Sequence, residues 1–294
     1  MNFDIHYPGE TEELDDTTRA TTRGSFVELA DGYTHYEFGP GDRGDPVVLV
    51  HGFSAPYLIW DPTFQALVGE RFSVLRYDLY GRGYSDRPRT KYGLELFVRQ
   101  LLELADRLGL GRINLVGLSM GGAISSAFTV RCPQRVASLT LIDPIGVEGM
   151  PLSWFYRIAM LPGISELILA AAGTEKLVKN IASDFFDPTH VEMFQNQYRI
   201  QMRFRGFKRA ILSTLRNQTL GGFPEIYDEL GRLKIPIQLI WGRNDQTIPI
   251  EQSRSILRAV PGAEFRIIEN TGHIPHYEKP EIFNPILMQF LGAE

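Results

Sequence analysis

Six short, mostly apolar runs spaced along the 294-residue chain constrain its fold more than any other feature; they lie at 46–51, 72–78, 113–117, 138–143, 237–242 and 264–268. A strand with one wet face alternates apolar and polar residues, whereas a strand covered on both faces has no reason to. Runs such as Val47-Val48-Leu49-Val50 therefore predict a sheet of parallel strands buried on both sides. Helical stripes fill the gaps. Leu94, Phe97, Val98, Leu101, Leu104, Ala105 and Leu108 share one face of a helix over 94–108, and similar stripes run over 252–260 and 280–291. Strands alternating with helices build an open α/β sheet, mostly parallel, with helices on both faces. A β-hairpin is expected over 26–38, closed by Gly39-Pro40-Gly41-Asp42.

The stretch 145–228 breaks this rhythm, offering only helix-like pieces at 154–161, 164–172, 175–181 and a long one at 191–215. Inserted between two sheet strands, it predicts a helical cap (lid) over the sheet's C-terminal edge. The chain then divides into a polar N-terminal segment, 1–25, loosely wrapped on the surface; a core domain, 26–144 and 229–294; and the cap, 145–228. A net charge of -5 argues against nucleic acid as a partner. The single cysteine, Cys132, excludes intrachain disulfides and multi-cysteine metal sites. No apolar run approaches the ~20 residues of a membrane span. The acidic N-terminus lacks the basic and apolar regions of a secretory signal, so a cytoplasmic location is expected.

The sharpest chemical signal is Gly117-Leu118-Ser119-Met120-Gly121-Gly122, placed between the 113–116 strand and an Ala-rich helix. A serine hydroxyl is a weak nucleophile and must be lifted on a tight turn to where a base can reach it. Small neighbours permit such a strained turn, and the helix start supplies N–H groups and positive dipole to a developing oxyanion. Ser119 is the candidate nucleophile. The N–H groups of Met120 and of Phe53, in His51-Gly52-Phe53-Ser54, are the candidate oxyanion donors. His51 itself, at a buried strand end, is expected to be structural. The base is sought in Gly272-His273-Ile274-Pro275-His276, where His273 sits at the turn and His276 nearer the next helix. Asp245, in Gly242-Arg243-Asn244-Asp245, is the candidate to orient His273, with Asp143 the alternative.

These motifs, in the order serine, aspartate, histidine, resemble the α/β-hydrolase superfamily from about residue 26 to the C-terminus. The pair His51-Gly52-Phe53-Ser54-Ala55 and Gly117-Leu118-Ser119-Met120-Gly121-Gly122 is similar to that of its monoacylglycerol lipase and carboxylesterase branch. The resemblance implies that Asp78-Leu79-Tyr80-Gly81-Arg82-Gly83-Tyr84-Ser85 is a structural turn. Haloalkane dehalogenases and epoxide hydrolases carry an aspartate where Ser119 stands. Carbon–carbon hydrolases of ring-cleavage products usually follow the His-Gly with Ser-Gly-Pro-Gly, from which Phe53-Ser54-Ala55-Pro56 departs.

The expected activity is hydrolysis of a small-molecule carboxylic ester with an apolar acyl chain, through an acyl-enzyme and without metal or organic cofactor. Trp154, Phe155 and Ile158, in an apolar part of the cap, are candidates for the acyl pocket alongside Phe53. Two alternatives stay open: C–C cleavage of vinylogous diketo acids, and a slow-turnover receptor that keeps the triad. Basic residues at 199, 203, 205, 208, 209 and 216 suggest either a plain solvated helix face or a contact with an anionic membrane or an acidic substrate.

Overall fold

A computed structural model of the chain describes residues 7–148, 175–217 and 219–292. Eight strands form one sheet in the order β1-β2-β4-β3-β5-β6-β7-β8. They are β1 Ser25–Leu29, β2 Gly32–Gly39, β3 Arg43–Val50, β4 Phe72–Tyr77, β5 Ile113–Leu118, β6 Val136–Ile142, β7 Ile237–Gly242 and β8 Glu264–Ile268. The hairpin β1–β2 joins β4 antiparallel; from β4 onward every pairing is parallel.

Burial on both faces follows from the pleat. Val48, Val50, Leu115, Leu139, Leu141 and Leu239 face one way, against the helices Leu94–Arg107, Met120–Arg131, Pro224–Leu230 and Ser253–Ala259. Their neighbours Val47, Leu49, Val116, Ile142 and Ile240 face the other way, against Asp61–Gly69 and Pro280–Leu291. Strands β5, β6 and β7 are buried end to end, while β8, at the edge, alternates. Phe128, fully buried on Met120–Arg131, lies in the first of these cores. Phe128→Ala is expected to cost about 3–5 kcal/mol in urea unfolding, since the cavity closes only in part.

The insertion between β6 and β7 carries the helices Glu175–Asn180, Val191–Gln201 and Phe207–Arg216 among its described residues, and no strand of the sheet. The single helix expected over 191–215 is in fact two. The chain turns at 202–206, where Gly206 adopts φ 85°, a left-handed conformation that costs glycine little. The expected pieces at 154–161 and 164–172 lie outside the described residues.

The N-terminal segment is not loose from Tyr7 onward. Glu12 pairs with Phe204 in a β-bridge, and the Glu10 carboxylate accepts the Gly206 and Lys208 N–H groups at 2.9 and 2.8 Å. The same strap occupies much of the basic face. Arg203 meets Glu12, Arg205 meets Glu13, Arg199 meets Glu175, and the Lys208 ammonium donates to the Pro8 carbonyl. Arg209 donates to the carbonyls of Arg87 and Pro88.

Candidate active site

Ser119 stands between the end of β5 and the helix Met120–Arg131, with φ 54° and ψ -117°. A non-glycine residue held there costs roughly 1–3 kcal/mol, and the surroundings must enforce it. They do so from the backbone. The Ser119 N–H donates to the Ile142 carbonyl at 2.9 Å, and its carbonyl accepts from Gly122 and Ile145. The flanking glycines are obligatory for space: a Cβ on Gly121 would lie 2.2 Å from the Val50 carbonyl oxygen, and one on Gly117 would lie 2.4 Å from that of Gly121.

The parallel sheet gathers three loops at this edge. His273 follows β8 and Asp245 follows β7. The His273 Nδ1 lies 2.7 Å from an Asp245 carboxylate oxygen, and both side chains are buried. The other Asp245 oxygen accepts the N–H groups of Thr247 and Ile248 at 2.8 and 2.9 Å, which fixes the carboxylate in place. Burial opposes a charged imidazole at His273, but the charges of Asp245 and Asp184 outweigh it and hold its pKa above the ordinary 6.5. A base with this bias loses activity earlier on acidification. For a neutral ester, kcat/KM is expected to fall on the acid side with a midpoint above 6.5, the ordinary histidine value. A midpoint below that value contradicts the assignment.

The expected oxyanion donors flank the serine. Met120 N–H opens a helix, where the first N–H groups have no intrahelical acceptor. Among the described residues, no hydrogen bond is formed by it or by the Phe53 N–H. The Phe53 loop passes close: a Cβ on Gly52 would lie 3.2 Å from the Ser119 Cβ. His51 gives this loop its direction. Its Nε2 accepts the Leu79 N–H at 2.9 Å, so Nδ1 carries the proton and donates to the Gly52 carbonyl at 2.8 Å. In a trans peptide the N–H points opposite the carbonyl, so this bond also aims the Phe53 N–H. Burial lowers the His51 pKa to about 4, keeping the ring neutral. Arg82 secures the next peptide, donating from Nε to the Phe53 carbonyl at 3.1 Å.

Ser119 and His273 open onto a cavity of about 410 Å³ under the insertion. Phe53, Ile59, Leu118, Ile181, Phe185 and Phe194 give it an apolar wall, and Asp184, Gln197 and Thr247 add polar groups. Asp184 lies against the loops of His273 and Asp245: its carbonyl accepts the His273 N–H at 2.8 Å, and its carboxylate accepts the Thr247 hydroxyl at 2.7 Å. The Glu278 carboxylate clasps the same junction, accepting the N–H groups of Phe186 and Asp187 on one oxygen and of Gly272 on the other. No sequence pattern points to Asp184 or Glu278, because both act through loop backbone brought near by the fold.

The remaining candidates are sorted by their surroundings. His276 is buried between the rings of Trp60 and Phe283, 4.3 and 5.7 Å away between centroids, and burial pushes its pKa down to about 3. It packs the loop rather than facing Ser119. Trp154, Phe155 and Ile158 lie outside the described residues, so of the four expected pocket residues Phe53 alone is placed at the cavity. The described groups close enough to hold a metal ion are Asp143, Asp245 and His273, all within 4.8 Å of one another. A cation there would have to break the Asp245–His273 hydrogen bond. No described helix is long and apolar enough to cross a membrane.

Residues 45–280 match the model of the alpha/beta hydrolase fold family, and the chain belongs to that family. It is 28% identical over 262 residues to a 2-hydroxy-6-oxo-2,4-heptadienoate hydrolase of Pseudomonas putida, covering 85% of this chain and 90% of the relative. Among solved structures it resembles the meta-cleavage product hydrolase CumD from Pseudomonas fluorescens IP01, with TM-score 0.75, 22% identity, and coverage of 92% and 98% of the two chains. It equally resembles an esterase from Exiguobacterium antarcticum, with TM-score 0.76, 21% identity, and coverage of 91% and 99%.

Proposed function

We propose that the chain is a serine hydrolase that cleaves neutral carboxylic esters with apolar acyl groups. Ser119 attacks the ester carbonyl as His273 Nε2 takes its proton, and Asp245 stabilises the imidazolium that forms. The N–H groups of Phe53 and Met120 receive the oxyanion, and His273 then protonates the leaving alcohol. Water repeats the cycle on the acyl-enzyme, releasing the acid.

The lining of the cavity carries the ester reading. Among the described residues that line it, the acidic side chain is Asp184 and the basic one is His273; no lysine or arginine is present. A vinylogous diketo acid brings its own carboxylate, for which the described lining, an apolar wall with Asp184, offers no cationic partner other than His273. A neutral ester meets no such penalty. A second reading, C–C hydrolysis, draws on the names of the relatives, whose substrates are acids of that kind. Turnover of p-nitrophenyl esters of increasing acyl length, set against a 2-hydroxy-6-oxo-dienoic acid, separates the two. The proposal expects kcat/KM to favour the esters and to peak at a chain length the cavity can house. Preference for the dienoic acid would overturn it and favour the second reading.

A further inference from the structure

Asp143 follows β6 directly and is a buried carboxyl that the mechanism above leaves unused. It is fully buried and has φ 40°, a backbone conformation that an aspartate adopts only when held. Its N–H donates to the Ile240 carbonyl at 3.0 Å. One carboxyl oxygen accepts the N–H of Gly242, the last residue of β7 and the start of the loop that carries Asp245, at 2.9 Å. The other oxygen is buried without a partner. Each of Asp143, Asp245 and His273 offers an atom to a cluster no wider than 4.8 Å.

Two carboxylates cannot both stay ionised this close in a dry interior. Asp245 has the better claim to the charge: it accepts two backbone N–H groups and faces the imidazole, whereas Asp143 accepts one. The titratable groups around Asp143 add to this ordering. Its own burial, the charge of Asp245 and the more distant Glu278 all raise its pKa well above the carboxylate range.

We infer that Asp143 is a positioning residue that works as a neutral carboxylic acid, its proton shared with Asp245, so that the group orienting His273 is a two-carboxyl unit. The inference rests on the Ser119–His273–Asp245 reading. It explains why an oxygen is buried without an acceptor's usual donor: that oxygen is itself the site of a donor. No proton leaves the pair during turnover; the unit carries one negative charge throughout.

The test compares Asp143→Ala and Asp143→Asn on the best ester, as kcat, KM and the acid limb of kcat/KM. Asp143→Ala removes the donor to Asp245, and kcat is expected to fall about 10–100-fold, as when an orienting group is lost, with KM within about twofold. Asp143→Asn restores a neutral donor and the acceptor for Gly242. It is expected to recover at least about tenfold of that loss, with the acid limb where wild type has it. An Asn variant as impaired as Ala, or an acid limb moved down as a lost negative charge requires, would overturn the inference. So would an Ala variant with unchanged kcat. If the Ala variant does not fold, infrared spectra of wild type against Asp143→Asn decide: the absorption of one buried protonated carboxyl must be lost, and its absence from wild type overturns the inference. Failure of the triad reading looks different, because ester turnover would then survive Ser119→Ala.

Discussion

Replacing Ser119 with alanine is expected to lower kcat on p-nitrophenyl esters by about 10⁴–10⁶-fold while leaving the protein folded. The backbone bonds that hold the turn, from Ser119 N–H to the Ile142 carbonyl and from Gly122 and Ile145 to the Ser119 carbonyl, do not involve the hydroxyl. Alanine carries the same Cβ through the same φ, so the strain of the turn is unchanged. The loss is that of the attacking atom alone. His273, Asp245 and both oxyanion donors stay in place, and a serine-less site of this kind retains only the modest rate that oxyanion stabilisation gives to water. Unfolding curves alongside the kinetics check the premise. A variant that keeps its Tm and retains more than about a tenth of wild-type kcat would mean that another group attacks.

A large stability effect, with a pH dependence of its own, is expected away from Ser119, at Asp78. This carboxylate follows β4 directly and sits wholly buried, 2.7 Å from His35 Nδ1. It also accepts the N–H groups of Tyr57 and Tyr84 at 2.8 and 2.9 Å, while the other His35 nitrogen lies 2.7 Å from the Arg23 carbonyl. With acceptors at both ring nitrogens, His35 is held protonated. Burial opposes its charge, but the hydrogen bond and charge of Asp78 prevail and raise its pKa above 6.5. Burial likewise opposes ionisation of Asp78, and its His35 partner prevails in lowering its pKa below 3.8. Asp78→Ala strands a buried cation and two N–H groups together, and is expected to cost about 3–5 kcal/mol. The pH dependence has a definite sign. The His35 contribution is full below 6.5 and fades as pH rises through its raised pKa. The Asp78 contribution is full above 3.8 and fades as pH falls through its lowered pKa. The difference between wild type and Asp78→Ala should therefore be greatest between those two values and shrink on the alkaline side. A difference that grows with alkaline pH contradicts a charged pair.

What could be read from the chain, and what could not, divides along a physical line. Strands β3 to β7 announce themselves because burial on both faces demands runs such as Val47-Val48-Leu49-Val50. The turn at Ser119 is legible because one local geometry forces glycine at 117 and 121. Short helices with weak amphipathic contrast, Asp61–Gly69 and Pro224–Leu230, leave little trace beyond a proline in the first turn. The break at Gly206 is hidden because the apolar stripe of Ile200, Phe204, Phe207 and Ile211 continues across it. The site divides in the same way. Ser119, Asp245 and His273 each sit in a recognisable loop after a strand. Asp184, Glu278 and the proximity of Asp143 to Asp245 depend on loops meeting in space across 63 to 102 residues of chain, which no spacing rule reports.

In the proposed reaction the acyl group of the ester passes to Ser119 as its alcohol leaves. The most direct test treats the protein with a small alkyl fluorophosphonate, digests it and locates the added mass by tandem mass spectrometry. One adduct is expected, on Ser119, formed in step with loss of ester turnover and slowed when His273 is replaced by alanine. Stoichiometric labelling of another residue, or full inactivation with Ser119 unmodified, would contradict it.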